Sequence, residues 1–213
     1  YRTTFDEFIG HAKRKYKTTT TSDHQRPRAD NLVKQNFTVT EPNKLWLSDI
    51  TYIATLEGWL YLAIILDAFS RKVIGWAFSD RLTDTLVLMA LAMAKQQREV
   101  TADLILHSDQ GSQYASLDFI QSLKDAHITQ SMSGKGNCYD NALAESYFAT
   151  LKTEEVSETP YLTRQQAITS IFKYVETFYN KRRRHSALNY LSPNDFETLY
   201  YSNLSEVSLP KVA

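Results

Sequence analysis

The pattern of hydrophobic and polar positions divides the chain into a strand-rich first half and a helix-rich second half. Residues 45–55 are a run of β-formers carrying one charged side chain, Asp49, and a strand this apolar belongs in the interior of a sheet. Glu57-Gly58 reads as a turn, 59–66 as a second strand, 67–71 as the next turn and 72–79 as a third strand, together an antiparallel meander. Residues 83–98 have helical spacing, with Thr83 or Asp84 near the cap and apolar side chains on nearly every face from Leu86 to Ala94, which predicts a well-buried helix. A short buried-type strand follows at 104–107, then a helix capped by Ser116 and running to about 125, then a strand at 128–131. Helix alternating with strand predicts a parallel addition to the meander. Beyond a loop at 133–137, helices are expected over 139–155 and 163–179, the second with Thr163 and Gln166 at capping-box spacing. Ser192-Pro193 with Asp195 starts a last short helix, and the tail after Leu204 is expected to fray.

Residues 1–40 begin with a brief helical pattern (Phe5, Phe8, Ile9, Ala12) and then lose all period, which predicts a linker or extended arm. The expected organisation is a basic arm at 1–40, an α/β core at 41–158 and a helical C-terminal extension with a basic cluster at 159–213. The chain opens on Tyr1 and is read as a fragment lacking some N-terminal part.

Composition changes this picture in two places. The single cysteine, Cys138, excludes an internal disulfide framework and suits a reducing compartment, and the longest apolar runs are interrupted by Asp67 and Lys95, so neither a membrane span nor a signal peptide is expected. The formal net charge of +0 would argue against a polyanionic partner if the charges were evenly spread. They are not: residues 1–40 hold 8 Lys/Arg against 4 Asp/Glu, 41–150 hold 8 against 13, and 151–190 hold 7 against 4. An acidic centre between basic flanks is what a metal-dependent enzyme acting on a polyanion needs, although solvated surface charge explains each part singly. Lys13, Arg14 and Lys15, beside Tyr16, are candidates to lie along a phosphate backbone, against a plain connector.

Asp49 carries the chemical argument. An unpaired carboxylate inside a strand costs several kcal/mol, and no basic residue of that strand can meet it. Asp109 stands where a buried strand gives way to a Gly-containing loop, the place where open α/β sheets present ligand groups; alone it would read as an Asx-turn carboxylate. Glu145 lies one to two turns into its helix, with Ala149 and Lys152 on the same face, beside an apolar stripe of Leu143, Tyr147 and Leu151. An ordinary amphipathic helix with a polar edge has the same pattern. Three acids that converge repel one another, and a divalent cation is the usual remedy.

The spacing adds a resemblance. Fifty-nine residues separate the aspartates and 35 lie between Asp109 and Glu145. This arrangement, on strand, strand and helix, resembles the catalytic core of retroviral-integrase-like DDE transposases, and the local wording resembles the bacterial insertion sequences of family three. The matching stretches are Trp46-Leu47-Ser48-Asp49-Ile50-Thr51-Tyr52, Gly58-Trp59-Leu60-Tyr61-Leu62, Asp67-Ala68-Phe69-Ser70-Arg71 and His107-Ser108-Asp109-Gln110-Gly111-Ser112-Gln113-Tyr114. Further on they are Ser131-Met132-Ser133, Cys138-Tyr139-Asp140-Asn141-Ala142 with Glu145-Ser146-Tyr147-Phe148, and the segment from Tyr179-Asn180 through Arg184-His185 to Tyr190-Leu191-Ser192-Pro193. The resemblance covers about residues 25–197.

It implies a ribonuclease-H-like fold, a five-stranded mixed sheet in order 3-2-1-4-5 flanked by helices, with Asp49, Asp109 and Glu145 meeting at one end. It also implies two Mg²⁺ or Mn²⁺ ions held by those acids, hydrolysis at element ends to free a 3′-hydroxyl, and strand transfer by that hydroxyl. Hard oxygen ligands suit Mg²⁺, whereas zinc favours nitrogen or sulfur. No covalent protein–DNA intermediate is implied, so Ser108, Ser112, Ser146 and Cys138 are not nucleophile candidates. The implied partners are double-stranded DNA, as transposon ends and target, and further copies of the chain assembled on it, in the bacterial cytoplasm at the nucleoid. Family members carry an N-terminal helix-turn-helix reader, most of which is expected to lie outside this sequence. Candidate DNA contacts are Gln113, Asn141, Lys152 and the cluster Arg182, Arg183, Arg184 and His185, the last four placed equally well to complement a helix C-terminus. His107 is either a group supporting the acids or a buried, hydrogen-bonded histidine, and Asp67 is expected to form a turn. A nuclease of the same fold and a silent DNA-binding remnant are the rival functions.

Overall fold

A computed structural model describes residues 28–134, 138–156 and 160–208. Lys13, Arg14 and Lys15 lie outside the described residues.

Three strands open the fold: β1 (Leu45–Thr55), β2 (Gly58–Asp67) and β3 (Val73–Ser79). Each pairs antiparallel with the next, and Gly58 turns β1 into β2 at φ +106°, a conformation that only glycine adopts readily. Helix α1 (Asp84–Gln97) crosses back over the sheet, followed by β4 (Ile105–Ser108), α2 (Leu117–Asp125) and β5 (Thr129–Met132). Both β4 and β5 add in parallel, giving the order β3-β2-β1-β4-β5 that the sequence motifs imply. The later helices are α3 (Ala142–Glu154), α4 (Arg164–Lys173) and α5 (Pro193–Ser208).

Strand alternation sends the apolar residues of the sheet to two cores. Trp46, Ala63, Ile65, Ile74 and Leu106 pack under α1 and α2. Leu45, Leu47, Ile53, Leu62, Ile64 and Val73 pack under α3 and α4, together with Tyr174, Val175 and Tyr179. Odd-numbered residues of β1 thus face α3, and Asp49 is one of them. The sheet–α1 contact is close at Gly75, where a Cβ would stand 2.3 Å from the Ala90 carbonyl oxygen.

Capping follows the side chains expected. Ser116 accepts from the Phe119 amide (3.3 Å), Thr163 from the Gln166 amide (3.1 Å) and Ser192 from the Asp195 amide (3.1 Å). Three expectations need correction. Helix α1 is buried on one side only: Leu86, Val87, Ala90, Leu91 and Ala94 face the sheet, while Met89 is 53% exposed, because nothing among the described residues covers its outer face. The helix expected over 163–179 changes pitch at Tyr174 into a π-helical turn (Tyr174–Tyr179), which sets the Tyr179 ring against Tyr147 of α3 and His185 of the following segment and lets the Tyr174 hydroxyl donate to Glu154 of α3. The last helix is not short; it spans 16 residues to Ser208. Its Glu197, 6% exposed, takes hydrogen bonds from Ser70 Oγ (2.6 Å), Arg98 (2.6 Å) and Lys72 (3.4 Å), a polar clasp onto the β2–β3 end of the sheet.

Candidate active site

The register of the parallel pair β1–β4 is the origin of the site. Leu45 pairs with Ile105 and Ser48 with Ser108, an offset that makes an aspartate the next residue after each member of the last pair, Asp49 within β1 and Asp109 just beyond the end of β4. Neighbouring strands lie about 4.8 Å apart, so this pairing sets two carboxylates side by side. Asp49 Oδ1 accepts from the Ile50 amide (2.7 Å). Asp109 Oδ1 accepts from the Gly111 amide (3.0 Å), so the Asx turn is real and coexists with the pairing of the acids. Glu145, in the first turn of α3, is carried over the same face of β1 by the burial of Ala144, Tyr147, Phe148 and Leu151 against the core.

The electrostatics carry the mark of that gathering. Burial, then the Asp109 charge, and then the Glu145 charge push the Asp49 carboxyl well above its ordinary range, while the Ile50 amide and Lys152 pull the other way. Burial and Asp109 push Glu145 up as well. Among the described residues no three His, Cys, Asp or Glu side chains form a ready-made metal cluster. The acids are within electrostatic reach of one another, and their all-oxygen donor set suits a hard divalent cation. Repulsion among the acids adds to burial in raising Asp49 and Glu145, and a bound cation would relieve it.

Two supports beneath the acids were not legible as such in the sequence. Ser48 Oγ donates to the Ile64 carbonyl (2.9 Å), which leaves it to accept from Tyr114 Oη at 3.0 Å. Burial and the charges of Asp49 and Asp109 all raise the Tyr114 hydroxyl, so this phenol stays neutral under the pair. On the other side, Asp140 Oδ2 accepts from Asn31 Nδ2 (2.8 Å) and the Gly134 amide (2.9 Å), tying down the approach to α3. Ser48 with Tyr114 and Asp140 with Asn31 join residues far apart along the chain, and of these four Ser48, Tyr114 and Asp140 lie inside the quoted motifs.

His107 is fully buried, its Nδ1 2.8 Å from Ser131 Oγ, and burial pulls its imidazole below the usual range: it is the buried, hydrogen-bonded histidine of the two readings. Asp67 is also more than a turn-former. It is completely buried, accepts from the Asn43 and Phe69 amides (2.9 Å each), and burial pushes its carboxyl up to about 6. Lys152 lies on the exposed stripe with Glu145 and Ala149, its Nζ 5.2 Å from the centre of the Tyr52 ring. Gln113 and Asn141 are 7% and 4% exposed, and the Gln113 amide points to the Leu82 carbonyl at 3.5 Å. Of the basic cluster, Arg182 and Arg184 are exposed, whereas Arg183 is paired with Glu154 (2.7 Å) and His185 is buried.

Comparison with known proteins places this geometry. Two family models, both described as integrase core domain, match residues 39–138 and 126–193. An uncharacterised 31 kDa protein of insertion element IS600 from Shigella sonnei is 46% identical over 89% of this chain and 70% of its own length. The transposase of insertion sequence element IS904 from Lactococcus lactis is 49% identical over 78% of the chain and 66% of its own length. Transposase InsF of insertion sequence IS3A from Escherichia coli K12 is 44% identical over 87% and 65%. The chain thus spans about two thirds of the length of these relatives. Among solved structures, the HTLV-2 integrase catalytic core domain in complex with magnesium superposes with a TM-score of 0.58 at 17% identity, over 75% of this chain and 99% of that one. A chain of the simian T-cell lymphotropic virus intasome superposes with a TM-score of 0.62 at 20% identity, over 91% and 63%. These likenesses establish the ribonuclease-H-like fold, and with family matches running from residue 39 to 193 the chain belongs to the integrase core family, among the transposases of IS3-type insertion elements.

Proposed function

We propose that the chain is the catalytic region of a DDE transposase in which Asp49, Asp109 and Glu145 bind two Mg²⁺ or Mn²⁺ ions, cut DNA at element ends and join the freed 3′-hydroxyl to a target. The observation that carries this reading is the β1–β4 register, which makes Asp49 and Asp109 neighbours under the charge of Glu145. Asp49, Asp109 and Glu145 would hold such ions, which would supply Lewis-acid activation of the attacking oxygen and charge neutralisation at the leaving one. The protein's part is to hold three carboxylates against their own repulsion. The Ile50 and Gly111 amides fix the two aspartates, and the buried faces of α3 fix the axis that carries Glu145. Lys152, on the Glu145 stripe and within the field of Asp49, is placed to meet a phosphate of the reacting strand, with Arg182 and Arg184 further along the duplex. The working form is an assembly of copies on DNA in the bacterial cytoplasm, at the nucleoid; no helix among the described residues is long and apolar enough to cross a membrane.

A strand-transfer assay with preprocessed 3′-hydroxyl ends and a target duplex tests the reading. Joined product is expected with Mg²⁺ or Mn²⁺, and Asp109→Asn should lose at least a hundredfold while still binding DNA non-specifically. Hydrolysis without joined product would assign the chain to a nuclease of the same fold. Undiminished joining by the mutant would overturn the role of the acids.

A further inference from the structure

Between α3 and the segment after Asn180 lies a cavity of about 350 Å³. Its wall includes Arg71, Arg183, Arg184, Tyr147, His185 and Thr150, and no carboxylate is among the residues lining it. It is not the acid site. Two residues along a helix turn a side chain by about 160°, so the face of α3 that carries Leu143, Tyr147 and Thr150 points away from Glu145.

Two polar atoms in this wall are orphans. Tyr147, 3% exposed, and His185, 8% exposed, bury Oη and Nε2 with no hydrogen-bond partner among the described residues. Buried polar groups are almost always paired, so each orphan asks for an absent partner. The identity of that partner follows from the hydrogens. Arg183 Nη1 stands 3.3 Å from His185 Nδ1, and a guanidinium can only donate; Nδ1 must therefore carry the lone pair and Nε2 the proton. The Tyr147 hydroxyl also has a proton to give. Two orphan donors beside three arginines call for an acceptor with negative charge and several oxygens. The volume admits a group of nucleotide size.

We propose that this cavity is a phosphate-binding pocket, taking one phosphate group on Arg71, Arg184, Tyr147 Oη and His185 Nε2, on the side of α3 opposite the acids. Arg183 Nε donates a shared hydrogen bond to both carboxylate oxygens of Glu154 (2.9 Å each), so Arg183 orients the histidine and shapes the wall while Arg71 and Arg184 supply the charge. The imidazole is suited to this task. Burial and the nearby Arg183 and Arg71 charges lower it to about 4, so at neutral pH it offers a neutral N–H donor. The pocket deepens the reading of the basic segment as a DNA contact, but it rests on that reading only for the origin of the phosphate.

Inorganic phosphate titrated into the full chain at pH 7 tests the pocket, followed by calorimetry and by the ¹⁵N shift of His185 Nε2. Saturable binding that moves this resonance is expected. Tyr147→Phe removes one oxygen and keeps the ring, so the variant should fold with unchanged or raised thermal stability and bind phosphate at least fivefold more weakly. Arg71→Gln should weaken it about tenfold, and Asp49→Asn should leave it unchanged. Equal phosphate affinity in wild type, Tyr147→Phe and Arg71→Gln, or no saturable binding, overturns the proposal. If duplex DNA binding falls in the same variants, the occupant is a backbone phosphodiester; if it does not, the occupant is a small phosphate compound, and either result supports the pocket. Failure of the wild-type chain to join ends, with its phosphate binding intact, would count against the catalytic reading alone.

Discussion

Asp67 offers a test in which burial is the largest of several opposing effects. It ends β2, fully buried, with its carboxyl pushed from 3.8 up to about 6 because removal from water outweighs its two amide hydrogen bonds and the Arg98 charge. Between these two values the unfolded chain ionises while the folded protein keeps its proton. The folded state binds more protons there, so stability falls as pH rises from about 4 to about 6 and is flat above. A shift of this size corresponds to about 3 kcal/mol across the window. His185 works in the opposite sense: its folded value of about 4 lies below the ordinary 6.5, so its contribution is lost as pH falls through the same range. The two partly cancel in the wild-type profile, and Asp67→Asn separates them. In urea unfolding at pH 4 to 7 the stability of the wild type should fall relative to that of the variant by up to about 3 kcal/mol as pH rises, the contributions of His185, Asp49 and Glu145 being common to both. The carbon shift of the Asp67 carboxyl gives the direct reading, with a midpoint near 6 expected. A midpoint near 4, or identical slopes for the two proteins, would refute the burial argument.

Two structural substitutions complete the set. Gly75→Ala places a Cβ 2.3 Å from the Ala90 carbonyl oxygen and 2.9 Å from the Ala94 Cβ, so β3 and α1 must part; a loss of about 1–3 kcal/mol is expected by urea unfolding, and an unchanged midpoint would mean that the contact is slack. Asn180→Ala removes both partners of Val73, whose amide donates to Asn180 Oδ1 (3.0 Å) and whose carbonyl accepts from Nδ2 (2.9 Å); two buried backbone groups left unpaired should cost about 2–4 kcal/mol, with early amide exchange at Val73 as the local sign.

Local chemistry made much of this protein legible from its residues alone. The apolar runs of β1 and β2 predicted interior strands, and Ser116, Thr163 and Ser192 marked helix starts because a cap is satisfied within three residues. Even the pairing of the aspartates was latent in the spacing. Fifty-nine intervening residues make an offset of 60, which is the offset of the β1–β4 register from Leu45–Ile105 to Ser48–Ser108. What stayed hidden depended on contacts between distant segments. Met89 carries the same apolar signal as Leu91, yet only the direction of the sheet leaves one outside and buries the other. Arg183 and Arg184 are adjacent and alike; Glu154 on α3 engages the first and leaves the second at the surface. A turn sequence at Asp67 carries no hint that β2 and α5 will seal it from water. Sequence therefore determined the elements and the choice of acids, because these follow from short-range geometry and side-chain chemistry. The tertiary structure decided which charges face each other and which donors are left without acceptors, because a carboxyl or a guanidinium takes its character from whatever the fold brings within a few ångströms.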